Sequence, residues 1–469
     1  MENLTPSKLD ILLSKSVEKL CTYIQSFKSH FTSSTRSSAQ TAQSYIEGLF
    51  KTEKKQGTCT GISEVLPFVG SQNLNHLLSD SVWSYKSVMR GVSRRSNTRL
   101  SKHKDSCLHI DEYSFPKKGD KSVGVAHQYL GCLGKCANGQ VVVGLVQNNS
   151  KYSSLINSRL YLPKSWIEDE QRMDKAGVPL EHQRYQTKLE IALDLLDTAI
   201  EDELDFNWVN VDSLYGRSLL FLSALESRRL TFVADIPKDS QVYEQPPQLY
   251  VPPKKVGRGR PPSRLVTDTP SNTVQTLANQ LKETDWTLLA VREGTKGPVI
   301  VRAYKKRIWV WDKDKPYTQS FILYIKKPVN YDDKDKITYS LVNIGDEVPL
   351  KRIAFMQGQR FFVEHTYKEG KNQVGLGDYQ VRSWNGLHRH LALCMMALNF
   401  LMEIKMEAKT KGMPHLSARD IRRLIEFILP NKINSIEQLI QSIKYKHDNY
   451  QNQIQRNHQK AQVQFPQLE

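Results

Sequence analysis

The first hundred residues carry apolar side chains at the spacing of helices. After Thr5 and Pro6, a favourable N-cap and first helical residue, apolar residues recur at mostly helical steps as far as Phe31. A Ser- and Thr-rich stretch at 32–38 interrupts the pattern, and further helical blocks follow. We therefore predict a helical region over residues 1–104.

From residue 105 the pattern changes to short apolar strands separated by glycine-bearing turns. Three strands are followed by a long amphipathic helix, a strand that ends at Asp212, a second helix and another strand. This order is typical of a mixed sheet with covering helices, an α/β arrangement. We predict the first part of such a core over residues 105–236.

The remaining chain divides into three predicted parts. Residues 237–348 begin with a Pro- and Lys-rich loop and continue with β-type alternation, which indicates a β-rich insertion. Residues 349–405 become helical again and are predicted to complete the core, and residues 406–469 to form a C-terminal helical region and tail. We interpret the His-Arg-His cluster at 388–390 as a group on a helix surface, with contact to DNA as the alternative.

The charge of the chain favours a polyanionic partner. It has 66 Lys and Arg against 49 Asp and Glu, a net charge of +17 and a pI of about 9.4. Basic side chains that neutralise phosphates release condensed counterions. No apolar run approaches the roughly 20 residues that span a bilayer, and the N-terminus has no secretory pattern. We therefore predict nucleic acid as the partner and no membrane, and the few scattered cysteines suit a reducing cytosol.

Two basic stretches are candidates for DNA contact. One closes the helical region at Arg94, Arg95 and Arg99, where the alternative is an ordinary solvated linker. The other lies in the insertion, where a Gly-Arg-Pro core resembles an AT-hook whose arginine enters a narrow A·T minor groove. A basic loop with general phosphate affinity is the alternative there. The candidate residues of this second stretch are Lys254, Lys255, Arg258 and Arg260.

Acidic residues at strand ends are candidate metal ligands. Asp111 and Asp212 each come directly after an apolar strand, where the backbone is rigid and the side chain accessible. A lone aspartate at such a position is often a turn or cap residue instead. Arg360, Glu364 and Lys371 lie at offsets of four and seven, which place them on one face of a predicted helix. That face is either an exposed ion-pair surface or a metal-binding carboxylate between two phosphate-binding cations.

The segment RFFVEHTYKEGKNQ resembles the last catalytic signature of DDE transposases of bacterial insertion sequences. That signature is a Tyr-Arg-Glu-Lys pattern with gaps of two, three and six residues, and Gln357 stands where the family has tyrosine. The segments HIDEYSFP and VNVDSLYG are similar to the family's first and second aspartate motifs. The resemblance runs from about residue 40 to residue 430. The matching residues are Asp111, Asp212, Arg360, Glu364 and Lys371.

The resemblance implies a ribonuclease-H-like mixed sheet, interrupted by the β-rich insertion before the helix that bears Glu364. A helical DNA-binding domain would precede this core and further helices would follow it. The implied ligands of two Mg²⁺ ions, with Mn²⁺ as a substitute, are Asp111, Asp212 and Glu364. Two such ions activate the attacking water and stabilise the leaving 3′-oxygen. The implied DNA contacts on the same helix region are Arg360, Lys371 and Gln357.

The predicted function is therefore that of a DNA transposase in the bacterial cytoplasm, near the nucleoid. It would bind terminal inverted repeats, cleave the strands and join the 3′-OH ends to target DNA. Its expected partners are double-stranded DNA and a second copy of the chain in a synaptic complex. Two alternatives stay open: a catalytically silent, transposase-derived DNA-binding protein or repressor, and a nuclease that cleaves without joining.

Overall fold

The computed structural model of the chain describes residues 16–464, apart from 67–68, 102–104, 254–261, 295–296, 314, 330–336, 414–415 and 430–434. Within these residues it contains sixteen α-helices and one mixed sheet of twelve strands. In this part of the chain, no helix combines the length and the apolar character that a membrane crossing requires.

Five helices precede the sheet. Their bounds are α1 (Ser16–Gln25), α2 (Ala39–Lys51), α3 (Cys59–Val65), α4 (Ser71–Ser79) and α5 (Tyr85–Leu100). The side chains of Thr58 and Ser84 accept hydrogen bonds from backbone N–H groups in the first turns of α3 and α5, which explains where these helices begin. The predicted helical start of the chain is confirmed for the described residues. The buried faces of these helices share one hydrophobic core with residues of the distant segment 384–408.

The central sheet begins with three antiparallel strands and continues with two parallel ones. The first strands are β1 (Cys107–Pro116), β2 (Ala126–Leu130), β3 (Lys135–Asn148), β4 (Ser153–Leu160), β5 (Trp208–Val211) and β6 (Phe232–Ile236). Strand β1 pairs with β3 antiparallel and with β5 parallel, β3 also pairs with β4, and β5 pairs with β6 in parallel. This mixed sheet, in the order β4-β3-β1-β5-β6, agrees with the ribonuclease-H-like fold that the resemblance implies, and the predicted α/β fold class is confirmed.

Helices connect and cover these strands. They are α6 (Lys164–Ile167), α7 (Glu170–Lys175), α8 (Lys188–Glu201), α9 (Ser213–Gly216) and α10 (Leu219–Ser227). Helix α8 begins with a capping box between Thr187 and Glu190. Its buried residues Ile191, Leu195 and Ala199 belong to the same core as the apolar side chains of β1 and β5. Amphipathic spacing in α8 therefore fixes this helix against the sheet.

The β-rich insertion extends the same sheet. Its elements are β7 (Gln241–Tyr243), β8 (Ser271–Thr273), α11 (Val274–Gln280), β9 (Thr287–Gly294), β10 (Gly297–Trp311), β11 (Thr318–Pro328) and β12 (Thr338–Val342). Strand β12 pairs antiparallel with β6, and β11 and β10 follow outward. The insertion thus covers an edge that the parallel strands would otherwise expose.

Five helices complete the described chain, and one of them runs through its core. They are α12 (Leu350–Gly358), α13 (Phe361–Gln373), α14 (Trp384–Thr410), α15 (Ala418–Ile428) and α16 (Ile436–Gln464). The interpretation of residues 388–390 as a helix-surface cluster is wrong. His388, Arg389 and His390 are only 1%, 7% and 0% exposed, because the N-terminal helices and the sheet surround α14. The Arg389 guanidinium donates to the backbone carbonyls of Leu78, Ser79, Ser81 and Trp83.

Candidate metal centre

Three carboxylates meet where β1 and β5 run side by side. The register pairs Ile110 with Val211, so the next residues along the two parallel strands, Asp111 and Asp212, are neighbours. One oxygen each from Asp111, Glu112 and Asp212 lies within 4.8 Å of the others, and all three residues are partly buried. The structure therefore brings together the two predicted aspartates and adds Glu112. The predicted strand end is wrong for Asp111, because β1 continues to Pro116 along its pairing with β3.

Asp111 lies deepest in this carboxylate cluster. Its Oδ1 accepts a hydrogen bond from the Glu112 backbone N–H at 2.7 Å, and its backbone oxygen accepts one from the Tyr367 hydroxyl at 3.0 Å. Burial raises the pKa of Asp111 to about 7, against the opposing effect of Arg360 and with the help of Asp212 and Glu112. The site thus disfavours an additional negative charge at this position unless a cation compensates it.

Glu112 and Asp212 are each held in place by neighbouring groups. The Lys188 ammonium lies 3.4 Å from the Glu112 carboxylate, which also accepts a hydrogen bond from the Tyr215 hydroxyl at 3.3 Å. Burial raises the pKa of Glu112, although Lys188 opposes this. Asp212 is the N-cap of α9, since its Oδ1 accepts from the Leu214 N–H at 2.9 Å. Asp212 is therefore a cap residue, as one sequence alternative expected, and its second oxygen is not used by the cap.

The donor set fits a hard divalent cation. Carboxylate oxygens are the preferred ligands of Mg²⁺ and Mn²⁺, and three of them within 4.8 Å can contact one ion or share a pair. A soft metal would instead require thiolate or imidazole ligands. His109, on the same strand, is fully buried, and burial lowers its pKa to about 3.

Glu364 lies outside the carboxylate cluster. It is an exposed residue in the first turn of α13 and is not among the carboxylates that come within 4.8 Å of one another in the described residues. Its charge nevertheless acts on Arg360. Arg360 stands directly before α13, and its guanidinium lies 3.9 Å from Asp111 and 3.2 Å from Asp235. Burial lowers the pKa of Arg360, but these carboxylates together raise it overall.

Gln357 and Lys371 lie on either side of this arrangement. Gln357 is only 3% exposed, its amide nitrogen donates to Asp235 at 3.1 Å, and its amide oxygen accepts from Lys326 at 2.6 Å. In this structure the Gln357 side chain is therefore engaged with Asp235 and Lys326. Lys371 is half-buried, with its ammonium 5.8 Å from the centre of the Phe115 ring.

Comparison with known proteins decides the family. A family model described as DDE superfamily endonuclease matches residues 26–298, which include Asp111, Glu112 and Asp212 and more than half of the chain. The chain belongs to the DDE superfamily of endonucleases. Membership implies the use of divalent metal, with which the carboxylate cluster agrees. The matched segment of this DDE endonuclease ends before Glu364.

This DDE endonuclease is similar to a protein from Microchaete diplosiphon named as a probable transposase for insertion sequence element IS701. The two are 25% identical over 328 residues, which are 70% of this chain and 73% of the relative. The predicted family, DDE transposases of insertion sequences, is confirmed. A cryo-EM structure of a piggyBac transposase synaptic complex with hairpin DNA aligns over 96% of this chain and 83% of its own, at 12% identity. The TM-score of this alignment is 0.40.

The basic residues of this DDE endonuclease that are predicted to contact DNA differ in their exposure and in their ion-pair partners. Arg95 makes two hydrogen bonds to Glu403, at 2.6 and 2.8 Å, so its guanidinium is engaged within the protein. Arg99 lies 3.5 Å from the same carboxylate, and Arg94 lies 3.4 Å from Asp202, but their side chains are 49% and 65% exposed. The AT-hook residues Lys254, Lys255, Arg258 and Arg260 lie outside the described residues.

Three members of the centre were not predicted from the sequence as ligands or supports: Glu112, Lys188 and Asp235. Asp235 follows the apolar residues Phe232 to Ala234 of β6, so the strand-end rule that identifies Asp111 and Asp212 would also have identified it. Lys188 carries no comparable sequence signal, because it reaches Glu112 only through the packing of α8 beside β1.

Proposed function

We propose that this DDE endonuclease is a DNA transposase that binds the terminal inverted repeats of an insertion sequence, cleaves the DNA and joins the 3′-OH ends to target DNA. The observation that carries the proposal is the set of three carboxylates within 4.8 Å of one another, Asp111 and Glu112 from the middle of β1 and Asp212 directly after β5. A centre with this charge is suited to phosphodiester chemistry only with divalent cations present, since it would otherwise repel DNA.

Asp111 and Asp212 are the proposed ligands from the sheet, and Glu364 is the proposed third ligand from α13. Two Mg²⁺ ions held there would activate water as nucleophile and stabilise the leaving 3′-oxygen. Arg360 neutralises part of the carboxylate charge from behind, through its contacts with Asp235 and Asp111. The Tyr367 hydroxyl ties α13 to the Asp111 backbone and so keeps this helix beside β1.

The proposal also covers the substrate, the oligomeric partner and the residues that contact DNA. We propose double-stranded DNA as substrate, a second copy of the chain in a synaptic complex, and action in the bacterial cytoplasm. Arg94, Arg99 and Lys371 are proposed DNA contacts, since their ammonium or guanidinium groups are partly accessible. Arg95 would have to leave Glu403 to take the same role.

A cleavage assay tests the proposal directly. The substrate is a duplex that carries the inverted repeats flanking the coding region, incubated with Mg²⁺ and with target DNA. Asp111→Asn and Asp212→Asn should each reduce cleavage by more than about 100-fold, because even the partners behind metal ligands contribute about 10- to 100-fold. The matched control Glu168→Gln neutralises an exposed carboxylate directly after α6 and should cleave as the wild type does. Unchanged cleavage by Asp111→Asn would refute the proposal.

The position of Glu364 outside the carboxylate cluster favours one second candidate, a catalytically silent DNA-binding descendant of a transposase. Tight binding of terminal-repeat DNA without metal-dependent cleavage would support that candidate.

If the protein does cleave DNA, comparison of the variants Glu364→Gln and Glu112→Gln identifies the third metal ligand. Loss of cleavage only in Glu364→Gln supports the ligand set proposed above, whereas loss only in Glu112→Gln assigns the third position to β1. Cleavage without joining would support a nuclease.

A further inference from the structure

A groove of about 700 Å³ lies beside α13. Three parts of the fold form its walls: the turn between β3 and β4, the β9–β10 hairpin of the insertion, and the C-terminal half of α14. Phe361, Phe362 and His365 of α13 form its floor. No residue of this groove belongs to the carboxylate cluster described above.

The groove is lined by more cations than carboxylates. Lys151 comes from the β3–β4 turn, Arg292 from β9, and Lys405 and Lys409 from α14. Among the described lining residues, Glu369 is the acidic one, and its Oε1 lies 4.0 Å from the Lys405 ammonium. The remaining positive charge is therefore suited to an anionic occupant that reaches along the whole groove.

Aromatic side chains alternate with these cations. Phe361 is 41% exposed, and the Arg292 guanidinium carbon lies 3.9 Å from the centre of its ring. The Lys409 ammonium lies 6.0 Å from the centre of the Tyr152 ring at the other wall. Cations interleaved with exposed aromatic rings are typical of surfaces that follow a nucleic acid strand, because the rings contact sugars and bases while the cations contact phosphates.

Helical geometry connects the groove to the metal centre. Successive residues of a helix are rotated by about 100°, so Phe361, His365 and Glu369 share one face of α13. Glu364 is rotated by about 60° from Phe361, and Tyr367 by about a further 60°. Glu364 therefore lies between the groove and the side of α13 whose Tyr367 hydroxyl contacts the backbone of Asp111. An extended polymer that passes Glu364 on leaving the carboxylates therefore enters the groove next.

We propose that this groove binds the sugar–phosphate backbone of the DNA strand that leaves the metal centre, with Lys151, Lys405 and Lys409 as its phosphate contacts. The inference rests on the proposed function, which supplies DNA as the polymer. Charge complementarity selects DNA over a second copy of this basic chain, whose net charge is +17. Its position beside α13, the helix that bears Glu364, distinguishes this groove from the basic stretches considered above.

The test measures DNA binding without cleavage. In an Asp111→Asn background, binding of a fluorescent 30-base-pair duplex that carries the inverted repeat is followed by anisotropy from low to high salt. The triple variant Lys151→Gln, Lys405→Gln, Lys409→Gln should reduce the slope of log affinity against log salt by roughly 2.7, at about 0.9 per phosphate contact. At 0.1 M salt the affinity should fall on the order of 10²-fold.

A matched control removes the same charge at the far end of α14. Lys121→Gln, Lys164→Gln, Lys175→Gln neutralises exposed lysines near Ala176, whose carbonyl accepts from the Trp384 N–H at the first turn of α14. Lys405 is some 30 Å away along the helix at about 1.5 Å per residue. This control should keep the slope of the parent within about 0.5, and both triple variants should melt at the temperature of the parent.

The possible results separate the two proposals. If the Asp111→Asn parent does not bind the duplex, the proposed function fails before the groove is tested. If the parent binds and both triple variants have equal slopes, the groove does not bind the strand. If the groove variant instead changes the oligomeric state in light scattering and leaves the slope unchanged, the groove is a protein interface and the proposal is overturned.

Discussion

A single methyl group on Gly144 should disturb the metal centre through Tyr367. Gly144 lies directly opposite Asp111 in the antiparallel pairing of β1 with β3. A Cβ at this position would lie 2.6 Å from the Tyr367 hydroxyl oxygen and 2.9 Å from Cε1 of Tyr113. Glycine is therefore required here to let the tyrosine reach the Asp111 backbone, where its hydroxyl donates at 3.0 Å.

The expected magnitude follows from these distances. Ordinary contact begins near 3.4 Å, so in Gly144→Ala the Tyr367 hydroxyl must retreat by about 0.8 Å, which lengthens its hydrogen bond to Asp111 beyond bonding range. Overpacking of this kind costs about 1–3 kcal/mol and the lost hydrogen bond about 0.5–1.5 kcal/mol. Gly144→Ala should therefore lower the free energy of unfolding by about 2–4 kcal/mol. Because Tyr367 belongs to the same helix as Glu364, metal-dependent cleavage should fall as well.

A double-mutant cycle provides the assay. Tyr367→Phe removes the closest atom that the new methyl would meet, at a cost of about 1 kcal/mol for the hydrogen bond. In that background Gly144→Ala should cost about 1–2 kcal/mol less than in the wild type, since only the Tyr113 ring still has to move. Urea unfolding measures the stabilities, and the cleavage assay should show partial rescue of Gly144→Ala by Tyr367→Phe.

Additivity would refute this reasoning. If Gly144→Ala costs the same in both backgrounds within about 0.5 kcal/mol, the contact with the Tyr367 hydroxyl does not cause the damage. If Tyr367→Phe restores the stability of Gly144→Ala but not its cleavage activity, cleavage does not depend on the position of α13.

Two further predictions concern the core around α14. Arg389→Met should lower the free energy of unfolding by about 3 kcal/mol, because it leaves buried carbonyls without their charged donor. Urea midpoints measure this loss; the exposed control Arg419→Met should change by less than about 0.5 kcal/mol, and an equal effect of both would contradict the prediction. Burial lowers the pKa of His388 to about 3 and that of His390 to about 4, from an ordinary value of 6.5. The unfolded chain therefore binds more protons between pH 6.5 and 4, and stability should fall as the pH is lowered through that range, by up to about 1.4 kcal/mol per pH unit for each histidine. Unfolding midpoints across this range should give a shallower slope for His390→Gln, and equal slopes would contradict the prediction.

The two aspartates could be predicted because their signal is local. An apolar strand followed by an acid is visible in the sequence at Asp111 and Asp212, and at Asp235 as well. What the sequence does not contain is the order of the strands. Only the pairing of Ile110 with Val211 makes the two aspartates neighbours, and that pairing arises from the three-dimensional packing of helices on both faces of the sheet.

The role of a cation could not be predicted where its partner is distant in the chain. Arg95 has the local surroundings of a DNA-contacting arginine, yet the carboxylate that binds it, Glu403, is 308 residues away. The prediction of a helix surface at 388–390 is wrong for the same reason, since the helices that cover this segment come from the other end of the chain. The β-rich insertion could be predicted as strands, but its continuation of the core sheet depends on the pairing of β12 with β6.

The charge balance at the centre is itself an argument for function. Asp111, Glu112 and Asp212 repel one another, and this repulsion adds nothing to the stability of the fold. Lys188 and Arg360 offset part of it, but Arg360 lies closer to Asp235, at 3.2 Å, than to Asp111, at 3.9 Å. The centre therefore keeps an excess of negative charge. If stability were the only requirement, apolar residues at these positions would be more favourable than carboxylates. Proteins violate their own packing rules mainly at functional sites, and the chemistry that relieves this particular violation is the binding of divalent cations. That is the physical reason to look for metal-dependent DNA cleavage at this carboxylate cluster first.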